Sequence, residues 1–443
     1  MNGQRPRTVA PSSRALATLA LAIFGLTLFG LLLTAPKGIA SEHTQSNHFA
    51  LLAEAWLRGR LDLGGPPPDY TQNNDFAIYA GKTYVSFPPF PALLLLPFVA
   101  LSGGTKTVPD GLVFVVVAAV APAILYLAFE RMREAKLSRR SDKQNLALAL
   151  LLPFGTVFWF SAVQGTVWFA AHAVAVALFA GYLFASVQAT RPLLAGTCLV
   201  LAFATRTPLA LAAPIFLQQL FAVAGRAEAS GPRVGGLSIE VLRSKLVRFA
   251  APIAIGLAIL AWHNAARFGS VFEFGHRYLD VVWQPRMQKW GLFSFHYLGK
   301  NLGVALASTP FIGDPQVRFQ ITAHGLALWI TSPFFAWALW PRAMPRESRR
   351  FFIALALSAA CIALLDLSYH NTGWVQFGYR FSNDFAVPLF AMIAVGRTRL
   401  GALFALLATW SVAVNLFGAL SFQRPGYEKY YRVERVTTYF EPD

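Results

Sequence analysis

No charged residue interrupts the stretch Gly111-Leu-Val-Phe-Val-Val-Val-Ala-Ala-Val-Ala-Pro-Ala-Ile-Leu-Tyr-Leu-Ala-Phe129. A helix needs about 20 apolar residues to cross a hydrocarbon core of roughly 30 Å, so this stretch predicts a transmembrane helix. Residues 16–36 form another such stretch, and more follow along the 443 residues of the chain. We therefore expect an all-α polytopic membrane protein with about 11 to 12 transmembrane helices.

The composition of the chain agrees with a membrane protein. It is 56% hydrophobic and 13% charged, whereas a soluble globular chain has about 25% charged residues. A formal net charge of +17 would suggest a nucleic-acid partner for a soluble chain. Here the basic residues collect in short loops between apolar segments, so we expect membrane lipid and no nucleic acid.

Basic clusters predict the topology, because cytoplasmic loops carry an excess of arginine and lysine. The three largest clusters lie at 131–143, 226–248 and 342–350. Placing them inside gives a multi-pass protein of the inner (plasma) membrane, with a cytoplasmic N terminus and an external C terminus. The predicted spans are 15–34, 110–129, 145–162, 166–186, 192–204, 207–224, 248–263, 322–340, 351–366, 385–396 and 401–420.

Two long external regions interrupt this single integral membrane domain of residues 1–443: the first loop, 35–109, and the second loop, 264–321. A shorter external region follows at 367–384. The apolar segment 89–103 contains several prolines, and counting it as a span would place the cluster at 131–143 outside. We interpret 89–103 as re-entrant or lying along the membrane, with a short span as the alternative.

The first loop contains two predicted pieces of structure. Residues 47–60 place apolar side chains at helical spacing with Glu54 elsewhere on the wheel, which is typical of an amphipathic helix at the membrane interface. Further on, Gly81-Lys82 between Tyr79 and Tyr84 predicts a tight turn that joins two extended pieces.

Asp75 in the first loop is the candidate general base. It lies beside an aromatic stretch in a loop that must fold back over the membrane, and a carboxylate in a half-apolar setting can have a raised pKa. The alternative is a loop carboxylate that caps a turn. His48 is a second candidate, with an ordinary interfacial histidine as the alternative.

Arg206, Arg267 and Arg380 lie at predicted outer ends of helices, against the positive-inside trend. A guanidinium presents a planar fork of donors suited to phosphate, so three of them near one acidic loop favour an anionic lipid ligand. The alternative is snorkelling to lipid head groups, or pairing with Glu273 or Asp384.

The sequence gives little sign of a metal or cofactor. Metal-ligand spacing, nucleotide-binding glycines and a Ser-His-Asp arrangement do not rise above chance. Cys198, Cys361 and His172 lie in apolar segments and indicate buried core residues. The sequence therefore predicts no metal site. It leaves open a requirement for a divalent metal ion, which no residue pattern indicates. Aromatic residues of the second loop are candidates for stacking on a sugar ring, namely Trp283, Trp290 and Tyr297, with membrane-interface aromatics as the alternative.

Three parts of the chain resemble the GT-C glycosyltransferases, in the branch near protein O-mannosyltransferases and aminoarabinose transferases. The first loop contributes Leu52-Ala-Glu-Ala-Trp-Leu-Arg-Gly-Arg-Leu61 and Tyr84-Val-Ser-Phe-Pro-Pro89. The others are Asn264-Ala-Ala-Arg-Phe-Gly-Ser-Val-Phe-Glu-Phe-Gly275 and Gly378-Tyr-Arg-Phe-Ser-Asn-Asp384.

The resemblance implies a GT-C-like bundle and an inverting transfer of a hexosyl or pentosyl group from a polyprenyl-phosphate donor. The acceptor would be a glycan, lipid or protein outside the cytoplasm. It also implies that an acidic residue of the first loop acts as the base and that basic residues hold the lipid phosphate. Carried over, Asp75 would be the base, and the donor phosphate would be bound by Arg380, Arg267, Lys82 and Arg206.

This chain departs from the aminoarabinose branch at two places. Ser46-Asn47-His48 stands where that branch has an acidic pair, and Phe87 stands where it has a lysine before paired prolines. Whether Asp75 or Glu42 is the base, or catalysis is lost, therefore stays open. The further candidate site residues are His48, Glu54, Glu42, Glu273, His276, Asp384 and Tyr84.

Two other classes of function remain as alternatives. One is a flippase or transporter of a lipid-linked anion, with which broken helices near 89–103 and 204–208 are compatible. The other is a polymerase or ligase of surface polysaccharide, for which the second loop is long enough. A single cavity beneath the first loop would favour the transferase, whereas a midplane site open to both faces would favour transport.

Overall fold

The computed structural model describes residues 13–227, 232–313 and 317–433. The end of the predicted external C-terminal tail lies outside these ranges. Helices make up most of the described chain. They are α1 (Ser13–Thr34), α2 (His48–Leu57), α3 (Phe90–Ser102), α4 (Asp110–Glu134), α5 (Asp142–Phe154), α6 (Phe158–Ala162), α7 (Val167–Ser186), α8 (Pro192–Phe203), α9 (Ala213–Arg226), α10 (Ile239–Phe268), α11 (Gln284–Trp290), α12 (Leu298–Ala307), α13 (Leu328–Thr331), α14 (Arg346–Leu367), α15 (Ser382–Val395) and α16 (Ala402–Ser421).

The strands are short and form two-stranded pairs within the described ranges. β1 (Phe76–Tyr79) pairs antiparallel with β2 (Lys82–Val85), and β3 (Arg233–Val234) pairs antiparallel with β4 (Leu237–Ser238). β5 (Ile321–Thr322) pairs in parallel with β6 (Tyr431–Arg432). The first of these pairs is the hairpin predicted in the first loop, and its turn falls at Ala80-Gly81, both with positive φ.

Seven helical segments of the described residues are long and apolar enough to cross a membrane. They are α1, α4, α7, α9 with the 3₁₀ turn before it, α10, α14 and α16. Four shorter apolar helices, α2, α3, α8 and α15, accompany them. The prediction of an all-α polytopic membrane protein is therefore confirmed, although helices of full spanning length account for only part of the 11 to 12 predicted spans.

Two predicted spans are not single helices. The segment 145–162 is divided, because α5 ends at Phe154 and α6 begins at Phe158. The segment 322–340 contains the four-residue α13 and a 3₁₀ turn from Pro333 to Leu339. Pro333 has no backbone N–H and interrupts the helical ladder, so the apolar character of this segment reports burial and not a helix.

The segment 89–103 forms α3, which packs on α2 of the first loop. It contains 13 residues and is therefore about 20 Å long, shorter than a hydrocarbon core of roughly 30 Å. Gly103 ends the helix in the left-handed conformation, with φ of 84°. Since α3 covers α2, seven of the ten residues of α2 are buried.

The centre of the bundle is formed by α4 and α7, which pack against each other. Among their most apolar residues, 61% in α4 and 83% in α7 are buried, against 17% in α10. α10 therefore lies at the periphery, where its exposed apolar side chains face lipid. It is held to α8 by a close crossing at Gly196, where an added Cβ would lie 2.0 Å from the carbonyl oxygen of Phe249.

Candidate functional site

A cavity of about 480 Å³ lies beneath the first loop, and we call it the site cavity. It is enclosed by the first loop, the start of α7, the residue before the 3₁₀ turn that leads into α9, the second loop and the segment between α14 and α15. Its wall includes Asp75, Trp168, Arg206, His276, Trp283 and Arg380. Four of the sequence-predicted site residues therefore meet at one cavity although they are far apart along the chain, namely Asp75, Arg206, His276 and Arg380.

Asp75 lies at the wall of the site cavity at the end of a turn. Its backbone is left-handed, with φ of 63°, a conformation that costs a non-glycine residue roughly 1 to 2 kcal/mol. Its Oδ2 accepts a hydrogen bond of 2.7 Å from Nε1 of Trp168, the second residue of α7. Burial raises the pKa of the Asp75 carboxyl, against the lowering effects of the Trp168 hydrogen bond and of the Arg380 charge.

His48 supports the segment that leads to Asp75. Its ring is fully buried and stacks on Phe76 at 4.2 Å between centroids, and Nε2 lies 2.6 Å from the carbonyl oxygen of Asn74. Burial lowers the pKa of His48 to about 4, so the ring is neutral at neutral pH. It therefore donates to Asn74 without adding a charge beside Asp75.

Arg380 also lines the site cavity, from the segment before α15. Its side chain is largely buried and donates to the carbonyl oxygens of Gly373 and Val375. The guanidinium lies over the ring of Phe169 at 5.1 Å, a favourable cation–π position. The backbone around it is fixed as well, because Gln376 accepts the Arg380 amide through Oε1 at 2.9 Å.

Arg206 reaches the site cavity from the turn before α9 and carries two acidic partners. Its Nε lies 3.2 and 2.9 Å from the two carboxylate oxygens of Asp384, and Asp366 is 3.6 Å from the guanidinium. Nδ1 of His172 lies 3.0 Å from the same Asp384 carboxylate. The pairing with Asp384 that the sequence left as an alternative is thus made by Arg206, and it offsets much of the Arg206 charge.

Two of the predicted phosphate ligands are absent from the wall described for the site cavity. Arg267 is 4% exposed and donates to the Val85 carbonyl oxygen at 2.9 Å and to Oδ1 of Asn264 at 3.0 Å. It thereby fastens β2 of the first loop to the end of α10. Lys82 is exposed at the hairpin turn, 3.7 Å from Asp62, and Tyr84 packs on Phe268 with ring centroids 5.2 Å apart.

The remaining acidic candidates also lie away from that wall. Glu54 pairs with Arg58 and accepts the Thr105 amide at 3.0 Å. Glu273 pairs with Arg277 at 2.9 Å, and Glu42 packs beside Gly38, where an added Cβ would lie 2.8 Å from its Oε2. Of the carboxylates named from the sequence as candidate bases, Asp75 is therefore the one that lines the site cavity.

His276 lines the site cavity from the second loop. Burial, and next the charge of Arg267, lower its pKa to about 4. It is therefore a neutral hydrogen-bonding group there. Of the three predicted stacking candidates, Trp283 lies in the same wall, whereas Trp290 and Tyr297 are absent from the wall described for the cavity.

Sequence reasoning missed several residues of the wall, namely Gln45, Ser46, Trp168, His370, Asn371 and Trp374. Trp168 reads as an ordinary aromatic at the start of an apolar helix. The polar residues at 370–371 follow directly after the span of α14, and this position at a helix end is the signal that could have found them. Within the described ranges there is no group of three or more His, Cys, Asp or Glu side chains that could hold a metal ion.

Comparisons by sequence find no relative: no protein-family model and no curated protein matches the chain. Comparisons by structure find similar proteins. The chain is similar to the apo form of an oligosaccharyltransferase from Archaeoglobus fulgidus, with a TM-score of 0.50 and 14% identity over 94% of this chain and 59% of that one. The chain thus spans 59% of the archaeal enzyme's length.

Two further solved structures align over most of this chain. ArnT from Cupriavidus metallidurans bound to undecaprenyl phosphate gives a TM-score of 0.45 and 12% identity over 91% of this chain and 64% of that one. AglB from Archaeoglobus fulgidus, in complex with an inhibitory peptide and a dolichol-phosphate, gives a TM-score of 0.45 and 13% identity over 93% of this chain and 59% of that one. The fold that the resemblance implied, a polytopic helical bundle, is confirmed by the likeness to the archaeal oligosaccharyltransferase.

Proposed function

We propose that this protein is a membrane glycosyltransferase that takes a sugar from a polyprenyl-phosphate donor and passes it to an acceptor with inversion. One observation carries the proposal: the carboxylate of Asp75 and the guanidinium groups of Arg206 and Arg380 line the same cavity beneath the first loop. Such a transfer needs a base for the acceptor and positive charge for the departing phosphate. The structures of ArnT and AglB named above were solved with undecaprenyl phosphate and a dolichol-phosphate.

The reaction is a single displacement. Oδ2 of Asp75 is occupied by Trp168, so Oδ1 is the oxygen available to accept the proton of an acceptor hydroxyl. The acceptor oxygen attacks the anomeric carbon opposite the phosphate, the bond between that carbon and the phosphate oxygen breaks, and the electron pair leaves on the polyprenyl phosphate. The proton ends on Asp75, and one displacement inverts the configuration at the anomeric carbon.

We assign the phosphate first to Arg380. Arg206 shares its charge with Asp384 and Asp366, so less of it is available to a ligand. Arg206 therefore supports the cavity wall through its pairing with Asp384. Arg267 acts on the geometry of the first loop through Val85, and Lys82 stays a proposed ligand that would have to reach the phosphate from the hairpin turn.

The position of the site cavity favours the transferase over a carrier. The first loop covers the cavity and contributes the carboxylate to it. A carrier for a lipid-linked anion needs arginines but has no use for a buried base. The second loop supplies His276 and Trp283 to the same cavity, so it belongs to the proposed site and does not form a polymerase site of its own.

The test compares sugar transfer by the purified wild type and by Asp75→Asn, with a series of polyprenyl-linked sugars and acceptors. We expect the substitution to lower transfer about 10²- to 10⁴-fold, the usual loss when a general base is removed. Asp69→Asn is the matched control, because Asp69 is an exposed carboxylate of the same loop away from the cavity wall. Full activity of Asp75→Asn would remove Asp75 from the role of base, and a wild type inactive with every donor would count against the class.

A further inference from the structure

A second polar opening lies at the other end of the bundle from the site cavity. It is a crevice of about 440 Å³ between α1 and the carboxyl ends of α4 and α7, and we call it the crevice. α7 runs from Phe169 at the site cavity to Phe184 at the crevice. Fifteen helical residues rise about 22 Å, so the two openings lie toward opposite faces of the membrane.

Two arginines meet at the crevice on one aromatic ring. The guanidinium carbons of Arg131 and Arg191 lie 4.7 and 4.8 Å from the centroid of Phe184. Arg131 is fixed further by a hydrogen bond that it donates to Oγ1 of Thr190. Two like charges held this close together are stabilised by an anion that accepts hydrogen bonds from both, and a phosphate diester has the matching oxygens.

The acidic residues in the crevice do not cancel this positive charge. Oε2 of Glu130 accepts from Nε of Arg133 at 3.0 Å, and Oε1 accepts from Asn145 at 2.7 Å. Glu134 is then the other carboxylate in the wall, against two guanidinium groups. The crevice therefore keeps a surplus of positive charge and favours a ligand that is itself a net anion.

An apolar groove of about 420 Å³ continues from the crevice along α4, α7 and α8. The two openings share Leu127 and Phe184 in their walls, so the ring that both arginines contact also lines the groove. The groove wall consists of apolar side chains together with Gly181 and Cys198. A ligand that fits both openings has a charged head and a long hydrocarbon chain.

We propose that the crevice and the groove together bind one anionic phospholipid. Its phosphate lies between Arg131 and Arg191, and one acyl chain fills the groove between α4, α7 and α8. The site is separate from the proposed donor site, since it uses other residues at the opposite end of α7. It therefore stands or falls independently of the proposed glycosyl transfer.

The experiment measures lipid retention by the full chain in mild detergent, with phosphatidylglycerol or phosphatidylcholine added and bound lipid counted by native mass spectrometry. We expect the wild type to retain phosphatidylglycerol in preference. We expect the double substitution Arg131→Gln/Arg191→Gln to weaken that retention about tenfold or more, the effect of losing two charge-assisted hydrogen bonds. Arg349→Gln/Arg350→Gln is the matched control, because it removes the same charge from exposed positions of α14.

A second pair of variants tests the groove. Leu194 lines the groove and is 41% exposed, whereas its neighbour Leu193 is 59% exposed and lies outside the groove wall. We expect Leu194→Trp to fill the groove and lower retention, and Leu193→Trp to leave it unchanged. Folding of each variant is checked by its thermal unfolding.

Three outcomes would overturn the lipid site. They are equal retention of both lipids by the wild type, unchanged retention in a folded Arg131→Gln/Arg191→Gln variant, and displacement of the lipid by inorganic phosphate at a similar concentration. The last outcome would show that the site binds an anion and does not require an acyl chain.

Discussion

The proposed role of Asp75 as a base depends on a hydrogen bond from Trp168, which lies 93 residues later in the chain. The Trp168 hydrogen bond stabilises the charged carboxylate, while burial works against it. A base must be unprotonated, so transfer falls as the pH drops through the Asp75 pKa. Trp168→Phe removes the hydrogen bond, raises that pKa further and moves the acidic limb of the kcat/KM profile to higher pH.

The control for this prediction is Trp283→Phe. Trp283 lies in the same cavity wall, so its loss should change the rate through the proposed sugar contact but leave the midpoint of the acidic limb in place. An acidic limb at the same pH in Trp168→Phe and in the wild type would show that this hydrogen bond does not act on the base.

Candidate site residues could be chosen from the sequence by their residue type, but the contacts between residues far apart in the chain could not be predicted. Asp75, Arg206 and Arg380 stand out by charge in apolar surroundings, and the fold brings them to one wall. Arg267 stands out equally, yet its side chain turns to the carbonyl oxygen of Val85. That contact depends on where α10 ends relative to the hairpin, which no local pattern encodes.

Helix packing makes a prediction at the scale of elements. A Cβ at Gly196 would meet the Phe249 carbonyl oxygen at 2.0 Å, whereas a Cβ at Gly25 of α1 would meet nothing within 4 Å. Gly196→Val should therefore push α8 from α10 and cost about 1 to 3 kcal/mol of stability. The measurement is thermal unfolding in detergent with Gly25→Val as the control, and equal unfolding temperatures for the two variants would contradict the close crossing.

The elements were predictable where length and hydropathy agreed. The spans at α1, α4, α7, α10 and α16 follow from charge-free stretches of about 20 residues, and the span at α14 follows from a shorter one, residues 351–365. The same criterion failed at 322–340, where Pro333 divides an apolar stretch into short turns. Hydropathy measures the preference for an apolar environment, and only the backbone hydrogen bonds decide whether a segment in that environment is a helix.

A buried ionic network acts at the scale of the whole molecule, because it joins four parts of the bundle. Asp384 of α15 binds Arg206 before α9 and His172 of α7, and Arg206 also approaches Asp366 of α14. Asp384→Asn leaves the half-buried Arg206 without its main counter-charge, and we expect a loss of roughly 3 to 5 kcal/mol. Chemical or thermal unfolding of the purified protein measures it.

The matched control is Asp142→Asn. Asp142 forms an ion pair with Arg133, and its side chain is 49% exposed. Exposed pairs contribute about 0 to 1 kcal/mol. If Asp384→Asn unfolded at the same temperature as Asp142→Asn, the network would not be what joins these helices.

At this scale the sequence predicted the class of fold but not the cavity. A bundle follows from the number of apolar segments, and the resemblance supplied its type. The site cavity depends on how the first loop, the start of α7 and the segment before α15 meet, and these parts are separated by several spans. The contact between these parts depends on the packing of the complete bundle. Trp168 and the residues at 370–371 could therefore not be predicted as lining residues of the site cavity.

The distance along the chain between Asp75 and Arg380 has a consequence for biogenesis. Roughly 300 residues separate them, and at a synthesis rate of about 5 to 20 residues per second the ribosome needs about 15 to 60 s to produce the second after the first. During that interval the first loop can already close on α2, α3 and Trp168, while Arg380 does not yet exist. On this account, the nascent chain meets the lipids of the membrane with its proposed base in place and its phosphate ligand missing, and it becomes competent for transfer only when α15 has been inserted.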